Sequence, residues 1–139
     1  MSGGFSSSCL KTATAWVDDA YFDLGRAYRE FEEESYSWAA FMAATATEKS
    51  LKAVIYLFHE TPDKMHRHDI PFYFDRAVAE APELRSISHA VSVFETYNSY
   101  VRYIDNADIS MPRDRYGKKE AGRALEAADQ ILPLSLIHI

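Results

Sequence analysis

Apolar residues recur every three or four positions through most of this chain, and no alternating run of useful length interrupts them. From Thr12 to Glu34 the series is Trp16, Ala20, Leu24, Ala27 and Phe31, with Val17, Tyr21 and Tyr28 beside it. That spacing stacks side chains on one face of an α-helix, whereas a half-buried strand needs a period of two. A second series, Phe41, Ala44, Glu48, Leu51, Ile55 and Phe58, predicts a helix over about 37–59, roughly 35 Å long at the standard rise. Thr61-Pro62-Asp63 ends it, because proline cannot continue the hydrogen-bond ladder.

Three further helices follow by the same reasoning. Pro71 suits the first turn of a short helix over 71–80. Pro82 opens a fourth over 83–103, with Leu84, Ile87, Val91, Phe94, Asn98 and Val101 on one seam. After a loop of ~15 residues from Ile104 to Lys118, a fifth runs over 120–132 through Ala121, Ala124, Leu125, Ala128 and Ile131. Helices with short connections predict an all-α fold, an antiparallel four- or five-helix bundle.

A chain of 139 residues makes one domain with room for a substantial core. We read 1–11 as a flexible start and 12–132 as the helical domain. The closing PLSLIHI, 133–139, reads as a non-native tail of translated adapter sequence, broken off the last helix at Pro133. A single cysteine, Cys9, excludes an internal disulfide framework and makes a reducing cytoplasm the natural compartment. No apolar run approaches the ~18 residues of a membrane span. The formal charge of −6 means that nucleic acid would have to be met by a local basic patch.

Catalytic motifs are scarce. There is no glycine-rich phosphate loop, no nucleophile elbow and no Glu-x-x-His of a di-iron bundle. His59, His66, His68 and Asp69 match no compact metal-site spacing, so no metal or cofactor is expected. Arg85 and His89 fall on one helical face and read as a surface or dimer contact.

More informative are polar residues inside apolar seams. Glu48 occupies a core position, with Lys52 its i+4 neighbour in the favourable order, while Lys49 and Lys52 rotate toward a flank. Asn98 intrudes in the fourth helix, with Arg102 one turn beyond. A buried carboxylate must find a partner or a wet gap. Two readings stand: Glu48, Asn98 and Arg102 form a satisfied network that fixes helix register, or they line a cleft or dimer groove. A second feature is the basic run MPRDRYGKKE, where Arg113, Arg115, Lys118 and Lys119 surround Tyr116. It fits phosphate contact with base stacking, and equally a solvated loop before a helix.

The order of these elements resembles a known family. The stretch AWVDDAYFDLGRAYREFEEESYSWAAFMAATATEKSLKAVIY is similar to the first two helices of HEPN domains (higher eukaryotes and prokaryotes nucleotide-binding). HRHDI resembles the family's His-Asp-Leu step into helix three, VRYID its step after helix four, and YGKKEAGRALEAADQIL its closing helix. The resemblance covers roughly 13–132 and implies an up-and-down bundle. It further implies a homodimer, a nucleotide or RNA ligand, and a minimal nucleotidyltransferase partner in a prokaryotic, toxin–antitoxin-like context. The candidate contacts for such a ligand are Glu48, Lys49, Lys52, His68, Asp69, Arg102 and Tyr103, with the basic run as a weaker second set. Lys49 and Lys52 would meet phosphate.

This sequence departs from the family pattern at Thr45, where many relatives have Gln, and at Ile104, where Pro is usual. Active HEPN ribonucleases carry an Arg followed after four to six residues by His. Arg102 is followed by YIDNADIS, and no other Arg here has a His at that interval. The expectation is therefore a binding module, with a metal-independent ribonuclease or a purely structural interaction bundle as the alternatives.

Overall fold

Helix α2, Tyr36–Phe58, carries alanine at positions 39, 40, 43, 44, 46 and 53, and every one of them is buried. Small side chains on several sides of one helix let neighbours approach on several sides at once, and fifteen of its residues are buried. It is the central helix. The computed structural model describes residues 5–62, 69–95, 117–137 and 139. Among the described residues the fold is all-helical, a bundle built around α2.

Helix α1, Ser7–Glu32, packs along α2 in the opposite direction. Phe5 meets Phe58, Trp16 stacks on Tyr56, and Phe31 meets Tyr36, so the pairing runs from one end of the hairpin to the other. The start at Ser7 lies inside the segment read as a flexible lead. Ser6 caps the helix by accepting from the Cys9 N–H at 3.0 Å, and Cys9 is buried. At the other end the Ser35 N–H returns to the Glu30 carbonyl at 2.8 Å, with Glu34 at φ 63° in the left-handed position where glycine is favoured. That tight stop turns the chain directly into α2.

Helix α3, Ile70–Glu80, packs on α2. The fourth element differs from the regular helix expected. Pro82–Ile87 is a 3-10 helix, followed by a short α4, Ser88–Ser92, and a turn that closes with Phe94 N–H on the Val91 carbonyl at 2.9 Å. The reason is in the spacing: Leu84, Ile87 and Ala90 are buried and three apart, which suits three residues per turn. Val91 and Phe94 join the core as expected, while Asn98 and Val101 lie outside the described residues.

Helix α5, Lys118–Leu136, packs on α2 and α1. Tyr28 donates to Asp129 and Phe31 stands against Gly122, which sets α5 antiparallel to α1. The break expected at Pro133 does not occur. Proline's φ is helical, so only one backbone bond is lost, and buried Ile131 and Leu132 with half-buried Leu134 hold the last turn on the core. The buried Ser135 hydroxyl donates to the Ile131 carbonyl at 3.1 Å. No helix among the described residues is long and apolar enough to cross a membrane.

Candidate functional site

Two charged clusters tie α1, α2 and α3 together. The Lys52 ammonium lies 2.8 Å from Glu48 Oε2, and each side chain is only 8% exposed. The same ammonium stands 5.3 Å from the Trp16 ring and 5.0 Å from the Tyr73 ring, so two aromatic faces from α1 and α3 add cation–π attraction. Lys52 does rotate off the Glu48 seam toward a flank, and that flank is buried. Because α2 is covered on nearly all sides, a side chain off the Glu48 seam still falls under a neighbouring helix.

Lys49 is held from α1. Its ammonium is 2.7 Å from Asp19 Oδ2 in hydrogen-bond geometry, and 2.6 Å from the buried Asp23 Oδ2 at an angle that makes the contact an ion pair without a hydrogen bond. Burial alone would lower the Lys49 ammonium. The hydrogen bond to Asp19, the close approach of Asp23 and their two negative charges outweigh it and hold the group above its usual value. Asp23 falls in the α1 core stripe between Ala20, Leu24 and Ala27, and that carboxylate among apolar positions is the signal by which sequence reading could have found it.

Both lysines expected to meet phosphate thus have their charge matched within the bundle. Asp69 is the N-cap of α3, accepting from the Phe72 N–H at 3.2 Å. His68, Arg102, Tyr103, Arg113, Arg115 and Tyr116 lie outside the described residues. Lys118 and Lys119 are exposed in the first turn of α5, where the Gly117 N–H donates to Glu120 Oε1 at 2.8 Å.

Beside the Lys49 cluster an open groove of about 620 Å³ runs along α1, lined by Thr12, Ala15, Trp16, Asp18, Asp19 and Phe22. These positions repeat at three and four along one helical face. Phe22 is 60% exposed, and Trp16 is half-buried against Tyr56 with their rings 12° from parallel. The groove offers aromatic surface for stacking and two carboxylates as hydrogen-bond acceptors. In the sequence Trp16 belongs to the apolar series of α1, and the structure places it on the groove as well.

A sequence model of the HEPN domain matches residues 13–137. The crystal structure of TT1696 from Thermus thermophilus is similar in fold, with a TM-score of 0.76 and 26% identity over 91% of this chain and 98% of that one. No curated protein matches the chain.

Proposed function

We propose a function on the ground that this chain belongs to the HEPN domain family: it is a binding module for a nucleotide or RNA, working as a homodimer beside a minimal nucleotidyltransferase. The α1 groove carries the reading. A nucleobase fits the exposed face of Phe22 beside Trp16, where stacking is worth about 1–3 kcal/mol per base. Asp18 accepts from ribose hydroxyls or exocyclic amines, while Asp19 stays with Lys49. Carboxylates on the rim repel phosphate, so recognition rests on base and sugar, and a long polyanion would gain little from a chain of charge −6.

The test is a thermal-shift and calorimetric screen with nucleotides and short single-stranded RNA. A ligand at about 100 times its dissociation constant raises stability by about 2.7 kcal/mol. Phe22→Ala, at an exposed position, should weaken binding without lowering the melting temperature. Absence of any shift with every nucleotide tried would remove this reading. Incubation with RNA in EDTA tests the enzyme alternative: cleavage lost in an Arg102→Ala variant would establish a ribonuclease instead. Sedimentation equilibrium tests the dimer, and a mass of one 15.8 kDa chain would exclude it.

A further inference from the structure

Between α4 and α5 lies a second cleft, of about 460 Å³, which shares no residue with the α1 groove. Ala90 and Ala127 give it an apolar floor, and among the described residues His89, Arg123, Glu126 and Gln130 are its polar lining. Arg123, Glu126 and Gln130 stand at intervals of three and four on α5, so one helical face points three functional groups at the opening. His89 comes across from α4.

These four groups are unlike the charges on α2. Arg123 and Glu126 are spaced for an intrahelical ion pair yet make none, and the only salt bridges among the described residues lie elsewhere. Among the described residues, none of His89, Glu126 and Gln130 has a side-chain hydrogen-bond partner. Each is exposed, so water solvates it, and each keeps its full capacity for a ligand.

We infer that this cleft is a binding site for a small phosphomonoester that also carries hydroxyl groups. Arg123 presents a planar fork of donors that matches a phosphate bidentately, and it is charged at every working pH. The His89 ring supplies a second nitrogen toward the same anion. Glu126 accepts from a hydroxyl on the ligand body, and the Gln130 amide both donates and accepts. The volume falls in the ordinary range for small-ligand sites, and an apolar floor with a few convergent polar groups is the usual construction. A charged phosphate alone would gain nothing from Glu126 and would be repelled by it, which is why the ligand needs donors as well as the anion.

Ribose 5-phosphate is a suitable probe, titrated into the isotopically labelled chain and followed by amide NMR, with ribose and inorganic phosphate run separately. The expected result is a saturable shift at Ala90 and Ala127 with ribose 5-phosphate, and weaker binding of either fragment. Arg123→Ala should raise the dissociation constant by roughly tenfold or more, as expected for loss of a charge-assisted hydrogen bond. Glu126→Gln should weaken ribose 5-phosphate and leave inorganic phosphate bound as well or better. Phe22→Ala should leave this binding unchanged, which separates it from the α1 groove. No shift at Ala90 and Ala127, or equal affinity in the Arg123→Ala chain, would overturn the assignment. Shifts confined to Thr12, Trp16 and Phe22 would overturn it as well.

Discussion

The α1–α2 seam and the α4–α5 cleft contain the same kinds of side chain and use them in opposite ways. In the seam, Lys49 is closed on Asp19 and Asp23, and Lys52 on Glu48 beneath Trp16 and Tyr73. In the cleft, Arg123, Glu126 and His89 stand together with no ion pair among the described residues. A charge withdrawn from water must be matched locally, and the matched pair then resists displacement by a ligand. An exposed charge is under no such constraint. In the seam the charges are matched within the fold, and in the cleft they face solvent.

The largest effect should come from the most enclosed pair. Lys52→Met keeps the apolar stem and removes the ammonium that Glu48 faces at 2.8 Å. Breaking a buried pair from one side costs about 3–5 kcal/mol. About 3 kcal/mol is expected here, since both side chains retain 8% exposure. Urea denaturation measures it. A loss below about 1 kcal/mol would put Glu48 and Lys52 in the same class as surface charges and dissolve the contrast.

Lys49 sits between the two extremes, with its side chain 21% exposed. Lys49→Met should cost about 2 kcal/mol, most of it from the stranded Asp23 carboxylate. The effect also depends on pH in a definite direction. Because the folded ammonium is held above its ordinary value of 10.5, the stability it confers is fully present below that value. It is lost as pH rises through the folded value. The gap between the native chain and Lys49→Met should therefore narrow in alkaline solution. Tyr28, whose phenol is pushed up to about 12 by burial and then by its hydrogen bond to Asp129 and that residue's charge, loses its contribution in the same direction. Narrowing specific to Lys49 survives in a Tyr28→Phe background.

Much of this was readable from spacing. The seams through Leu24, Leu51, Leu84 and Ile131 are core, and the third helix begins within one residue of its expected start. Glu48 was visible as a polar residue at an apolar position, and its i+4 partner was visible with it. The depth of Lys52 was harder to see. It depends on Trp16 and Tyr73, which belong to other helices, and only the alanines around α2 hint that its flanks are covered. The helix through Pro133 and the 3-10 turn at Pro82 are tertiary outcomes, in which docked apolar residues decide what a proline permits. His89 and Arg123 meet only in the folded chain. Reading His89 with Arg85 assumed four-residue spacing, and the 3-10 segment that holds Arg85 does not keep that face.

Thr47 refines the contrast within the seam itself. It is fully buried, and among the described residues its hydroxyl has no hydrogen-bond partner. Thr47→Val keeps the branched shape and removes the orphaned group. It should stabilise the chain by about 1 kcal/mol, the low end of the penalty for a buried unpaired hydroxyl, read as a higher midpoint in urea. A destabilised Thr47→Val chain would mean that the hydroxyl is satisfied in solution, and the seam would then be polar by design at every position.

The smallest effect belongs to the cleft. Arg123 is exposed and makes no ion pair among the described residues, so Arg123→Ala should shift stability by no more than about 0.5 kcal/mol in either direction. Alanine's higher helix propensity offsets what little the arginine stem shields. The near-zero value matters because the same substitution is expected to remove most of the affinity for ribose 5-phosphate. A residue that the fold can lose without effect, and that binding cannot, is held in place by its ligand chemistry. If Arg123→Ala instead lost about 2 kcal/mol, the guanidinium would have a partner inside the fold, and the cleft would belong with the α1–α2 seam.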